Sequence, residues 1–230
     1  MAYHIGLEDI EPRNWVAWVF EWPGCYSRGV TREEAINRAP RAIEELLLRL
    51  QESAFSVRAS APPFEIDIEE EFHGITQPDG YIVNAFFADD QVPVTEWGIE
   101  YARHLLGLNR QELEAIISGL PSSLLDTEIP GEVQKTIRGI LRHIGTAEWW
   151  YWDRLGLALP RPQRPFDVFA LLEKVREYTL ISLPKLVESE LTTVRSGETW
   201  SPRKLVRRAI WHERVHIVQI IRYLRSIETR

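Results

Sequence analysis

The chain of 230 residues carries 27 basic and 34 acidic side chains, a formal net charge of −7, and is 44% hydrophobic. That is material for one large or two small cored domains, and no run of about 18 apolar residues offers a membrane span. Its one cysteine, Cys25, excludes an intramolecular disulfide, and with no apolar signal-peptide region at the N-terminus the expected location is the cytoplasm.

Charge is unevenly placed. Residues 1–75 hold seven Arg, no Lys and fourteen acidic residues, while the remainder is balanced at 20 of each sign. An acidic N-terminal part is unsuited to gripping a phosphate backbone, and no nucleic-acid motif stands elsewhere in the chain, so nucleic-acid binding is set aside.

Residues 1–75 read as a small α/β module. Asn14-Trp15-Val16-Ala17-Trp18-Val19-Phe20 has the β-branched and aromatic content of a strand, and Pro23-Gly24 is a turn signal. Thr31-Arg32-Glu33-Glu34 is a capping-box pattern that opens a helix to about Gln51, with Ala35, Ala39, Ala42, Ile43, Leu46, Leu47 and Leu50 on its apolar face. After the break at Pro62-Pro63 a further strand is expected around Phe64–Ile68. The residues Trp22-Pro23-Gly24-Cys25, Gly29, Thr31, Glu33, Glu34 and Ala35, following two strands and opening a helix, resemble the HicB-like antitoxin domain. That resemblance covers about a quarter of the chain and implies a non-catalytic, partner-binding module; no DNA-binding tail follows it. Cys25, in the turn and with no His close in sequence, reads as structural.

Residues 76–94 read as a connector, with a turn at Gln77-Pro78-Asp79-Gly80 and an extra strand or buried lead-in over Tyr81–Phe87. From Thr95 onward the pattern is helical, with helices expected over about 95–106, 110–118, 131–155, 166–192 and 201–227, punctuated by prolines. Pro184 predicts a kink in the fourth. The expected fold is α+β: an α/β module over 1–75, then a four-helix bundle with a short extra helix over 95–230.

The chemistry concentrates near the C-terminus. His212 and His216, four apart on a helix opened by Ser201-Pro202, share one face. Taking about 100° per residue, Leu205 and Ala209 lie on that face, with Arg207 and Arg214 opposite. An i,i+4 His pair on an apolar face is also what satisfied core histidines look like. In the helix over 131–155, Ile140, Ala147 and Trp150 share the face of His143, which makes Trp150 a pocket-lining candidate. Glu148 is about 140° away and is expected at solvent or between domains.

The segments His143-Ile144-x3-Glu148-Trp149-Trp150 and His212-x3-His216-x2-Gln219-Ile220 resemble DinB-like proteins, and the resemblance extends over residues 95–230. It implies a divalent metal held by His143, His212 and His216, and a place among transferases and isomerases that use a low-molecular-weight thiol. Three neutral imidazoles leave positions open for water or substrate; zinc is the first expectation, with nickel or iron as alternatives. A literal match competes, since His212-Glu213-x2-His216 spells the zincin motif, with Glu213 as general base of a hydrolase. A metzincin needs Gly at 219 and His at 222, where this chain has Gln219 and Arg222. Glu213 is therefore expected on the helix surface or rim, a base role remaining open.

Arg154, about 20° from His143 on the wheel, reads as a carboxylate-binding candidate at a pocket mouth or as an exposed helix end. Arg203, Lys204, Arg207 and Arg208 read as a solvated basic face, or more sharply as a site for an anionic substrate or thiol cofactor. His4, His73 and His104 have no partner spacing. A small-molecule substrate and a homodimer are expected. The alternative is a non-enzymatic regulatory protein that binds a partner through residues 1–75.

Overall fold

The structure, a computed structural model, describes residues 2–11, 14–57 and 61–228. It is a mixed α+β protein of two compact units. The first comprises Met1–Val92 with Thr192–Arg207, the second Pro93–Leu191 with Arg208–Arg230.

In the first unit, strands β1 (Ala2–Glu11), β2 (Asn14–Val19) and β3 (Tyr26–Gly29) precede helix α1 (Arg32–Glu52) and strand β4 (Glu65–His73). The sheet order is β3-β2-β1-β4; β1 is antiparallel to β2 and parallel to β4. The Thr31 hydroxyl accepts from the Glu34 N–H, which satisfies one orphan donor of the first turn of α1, and Glu34 Oε2 accepts from the Val30 N–H just before the cap at 2.6 Å. Gly29 permits the close approach of β3 to α1, since a Cβ there would lie 2.4 Å from the Ala35 nitrogen. Ala35, Ala39, Ile43 and Leu50 of α1 are buried, as are Ile5 and Leu7 of β1. Cys25 is buried too, and burial pushes its thiol up, away from the reactive thiolate. His4 and His73 donate from Nδ1 to Glu21 and Asp9 at 2.6 and 2.8 Å, and these carboxylates hold both imidazoles above their ordinary value.

Residues 76–92 are not a free connector. Short strands β5 (Ile75–Thr76) and β6 (Ile82–Val83) pair antiparallel. The Ala85 N–H donates to Glu8 at 2.8 Å, and the Phe87 ring lies 5.4 Å from Phe20. Gly6 makes room for them, because a Cβ there would meet both rings at under 3 Å. The hairpin of β7 (Thr193–Arg195) and β8 (Glu198–Trp200) was not expected from the sequence. Its turn places Ser196 and Gly197 at positive φ, the conformation a two-residue hairpin loop requires.

Helix α6 (Pro202–Glu228) begins in this unit, and its basic residues correct the solvated-face reading. Lys204 is 0% exposed and pairs with the equally buried Glu198 at 2.7 Å; Tyr81 also donates to Glu198. Arg207 makes a bidentate pair with Asp90 and lies 4.6 Å from the Trp18 ring. Arg203 pairs with Asp89. The acidic partners of the two arginines are more than 100 residues upstream, which is why a local reading leaves these cations in water.

The second unit contains α2 (Glu96–Ile117), α3 (Ser122–Leu125), α4 (Ile137–Arg154), α5 (Val168–Ser182) and the rest of α6. The expected break near 107–109 is absent: α2 is continuous, and the Asn109 amide donates to the Ile210 carbonyl at 3.0 Å. Helix α4 starts at the Thr136 cap, later than 131, after turns with positive φ at Gly131 and Lys135. Pro184 does not kink a long helix; α5 ends at Ser182 and a 3-10 turn follows over Leu183–Leu186, consistent with the missing N–H of proline. Leu113, Ile137, Ile140, Ile144, Leu172, Ile217 and Ile220 belong to one buried apolar cluster. Among the described residues no helix is long and apolar enough to cross a membrane.

Replacing Lys204 with Met should lower the unfolding free energy by about 3–5 kcal/mol, because the Glu198 carboxylate is left buried without its cation. In urea denaturation, the double variant Lys204→Met/Glu198→Leu should recover most of that loss.

Candidate metal centre

Two helices supply the site. His143 comes from the second turn of α4, and His212 and His216 from one face of α6. Their Nε2 atoms confront one another: His212 is 3.0 Å from His143 and 3.2 Å from His216. The three rings are 4.5–4.8 Å apart between centroids. Among the described residues this is the group of His, Cys, Asp or Glu side chains whose ligand atoms converge, all within 4.8 Å.

The protonation of these rings is set by their surroundings. His216 Nδ1 is 2.6 Å from Gln219 Oε1, which can only accept, so Nδ1 carries a proton, and in the neutral ring Nε2 is the nitrogen left to bind. Gln219 is itself oriented by donating its amide to Glu132 Oε2 at 2.5 Å. Burial lowers the pKa of His143. His212 is held well below its ordinary value by burial first, then by His216, His143 and the charge of Arg208. Three imidazole nitrogens aimed at one point, two of them on rings whose charging burial disfavours and one on a ring oriented by Gln219, fit a divalent cation of intermediate softness.

The walls are aromatic. Tyr151 presents its ring to the edge of His212 at 5.8 Å, and Trp211 lies 6.0 Å from it. Trp150, the expected lining residue, packs on Tyr151 at 5.5 Å, and the Arg154 guanidinium lies 4.6 Å from the Trp150 ring while pairing with Asp153 at 2.8 Å. Arg208 stacks on Trp211 at 4.3 Å and is buried, not solvated.

Two carboxylates are placed otherwise than the helical wheel implied. Glu148 is 5% exposed and Glu213 is 2% exposed. Glu213 Oε1 accepts from Arg110 at 2.9 Å and its Oε2 from Arg176 at 2.7 Å. Glu148 accepts from Arg176 at 2.8 and 3.0 Å and from Arg110 at 3.2 Å. Burial alone would push Glu148 up, but the two guanidinium groups hold it below the usual carboxylate range, and the carboxylates hold Arg176 fully charged. The surface or rim position expected for Glu213 and the solvent position expected for Glu148 are thus corrected. With both oxygens of Glu213 engaged by buried arginines, this carboxylate is held in an ion network and is not poised as a general base in the zincin manner. The sequence does carry a trace of this arrangement, since Arg110 and Arg176 interrupt the apolar faces marked by Leu106 and Leu113, and by Leu172 and Val175. Glu132 leaves no such trace.

A family model described as the DinB superfamily matches residues 105–220, just over half of the chain, and the chain belongs to that superfamily. Neither the curated proteins nor the solved structures give a match.

The metal-free protein should be acid-sensitive. A histidine whose folded pKa is depressed from about 6.5 contributes stability that is present above that pH. The contribution is lost as pH falls toward the folded pKa, because the unfolded chain binds a proton that the fold excludes. Thermal melts of metal-stripped protein should show Tm falling between about pH 7 and pH 5, and His212→Gln should flatten that dependence.

Proposed function

We propose that this member of the DinB superfamily is a metal-dependent enzyme that holds one divalent cation through His143, His212 and His216 and acts on a small molecule, with a thiol or a water as nucleophile. Zinc is the first choice of metal, nickel or iron the alternatives. The observation that carries the reading is the convergence of three imidazole nitrogens, one of them on a ring oriented by Gln219. A bound divalent ion supplies Lewis acidity and brings the pKa of a thiol or water into the neutral range.

The chain's own residues do the rest. Gln219, held by Glu132, aims His216, the kind of outer support that orients a metal-binding imidazole. Tyr151 and Trp211 narrow access to His212 and keep bulk water off one side of it. The arginines that engage Glu148 and Glu213 keep both carboxylates out of the donor set. A centre of neutral donors leaves the charge of a dication uncompensated, which favours an anionic ligand such as a thiolate. Together with the engagement of Glu213 by two arginines, that chemistry supports a thiol-dependent transferase or isomerase over a hydrolase of the zincin type.

In this reading α2, α4, α5 and the second-unit part of α6 make a DinB-like four-helix bundle. The N-terminal unit is read as a HicB-like module for a protein partner, supported by the order β1, β2, the Trp22–Cys25 turn, β3 ending at Gly29, the Thr31 cap and α1. Pairing of two chains through the bundles is part of the same proposal.

Elemental mass spectrometry on untagged protein should find about one divalent ion per chain, lost in His143→Ala and in His212→Ala. Gln219→Leu should retain the fold and weaken metal affinity by about 10–100-fold. Absence of any bound ion after supply of zinc, nickel, manganese and iron would leave the histidines as core residues and end the enzyme reading.

A further inference from the structure

Four buried ions of the second unit form one network, one from each long helix: Arg110 from α2, Glu148 from α4, Arg176 from α5 and Glu213 from α6. Each arginine touches both carboxylates, and each carboxylate touches both arginines, so the four close into a ring. The arginines have further partners: Arg110 donates to the Leu172 carbonyl at 2.6 Å and Arg176 to the Leu106 carbonyl, which cross-links α2 and α5. Helices α4 and α6 are the two that carry the histidines. Glu148 follows His143 by five residues, and Glu213 is the immediate neighbour of His212.

We infer that this ring is a positioning device for the three-histidine site: it fixes the rotation and axial register of α4 against α6, and thereby the distance from His143 to the His212–His216 pair. The inference rests on the metal reading of that site. A slip of one residue moves a helix by about 1.5 Å and turns it by about 100°, whereas bonds from a metal to its ligands keep their lengths to within about 0.2 Å. The surrounding core of Ile140, Ile144, Ile217 and Ile220 gives little directional control, because apolar burial is non-directional. Guanidinium forks on carboxylates are directional and fail on a small displacement. Glu148 and Glu213 do not bridge α4 and α6 by themselves, since like charges repel; the two arginines reaching in from α2 and α5 make the bridge, so all four helices share in setting one His–His distance. A buried ionic network is a weak source of stability compared with apolar residues of the same volume, and register is its best-attested use. That difference separates a positioning role from a merely structural one.

The test compares the full-length wild type with a ring-free variant, Arg110→Met/Glu148→Leu/Arg176→Met/Glu213→Leu, and with Arg176→Lys, which keeps the charge and loses the fork. Zinc affinity is read by competition with a chromophoric chelator, site geometry by the visible absorption of the Co2+-loaded protein, and stability by melting of the metal-free protein. The ring-free variant is expected to melt no lower than wild type, to bind zinc at least tenfold more weakly, and to show an altered Co2+ spectrum; Arg176→Lys should weaken zinc binding in the same direction. Wild-type zinc affinity in whichever variant folds overturns the inference while leaving the metal site intact. Failure of both variants to fold also overturns it, because the ring would then be a condition of the fold itself. A wild type that takes up neither zinc nor Co2+ overturns the metal reading, a distinct result, and removes the inference with it.

Discussion

Taking an ionised side chain out of water costs several kcal/mol per group unless a partner of opposite charge and full hydrogen bonding come with it. In the second unit that constraint bears on Arg110, Arg176, Glu148 and Glu213 together, all under a tenth exposed. Their solution is mutual, and it requires four helices to arrive at one place with the correct faces turned inward. Once the ring is closed, the freedom of α4 and α6 to rotate is small, and the histidines of those helices meet as a consequence. The ring also retains two carboxylates close in sequence to the histidines, Glu148 and Glu213, each engaged by both arginines.

The first unit meets the same constraint with different pairs. Lys204 with Glu198, and Arg207 with Asp90, are buried couples whose members come from the hairpin, the start of α6 and the segment before Val92. Glu8 is an anion within the sheet, satisfied by the Trp18 indole N–H and the Ala85 N–H at 2.8 Å each. These pairs explain why residues 81–92 and 193–207 belong to this unit: each contributes a charge or a backbone group that another segment cannot leave unpaired. His4 and His73, by contrast, pair with carboxylates in partly solvated positions where such contacts weigh little.

Legibility in the sequence followed the range of the interaction. The cap at Thr31, the apolar face of α1, the Pro202 start of α6 and the four-residue spacing of His212 and His216 are local signals, and each element stands where those signals place it. His143 was reachable because its spacing to the aromatic run after it resembles a family pattern. The burial of Lys204, Arg207, Glu148 and Glu213 was not reachable by helical-wheel arithmetic, because the partners of Arg207, Glu148 and Glu213 lie 28 to 117 residues away. The same limit produced the false break in α2. Gly107 and Asn109 are weak helix formers, but Asn109 has a tertiary partner in the Ile210 carbonyl that offsets its local preference.

The segment His212-Glu213-x2-His216 shows how little a short motif fixes without its surroundings. Its spacing guarantees that two imidazoles share a helix face and that the glutamate points about 100° away from the first of them. In a zincin that direction faces the substrate. Here the sector beside His212 is filled by the guanidinium groups of Arg110 and Arg176, which take both oxygens of Glu213. A carboxylate held between two fixed cations is a poor base, because protonating it would leave those cations buried without a counter-charge. The same letters therefore encode a base in one setting and a structural anion in the other, and what separates them is the pair of arginines that neighbouring helices bring to the glutamate.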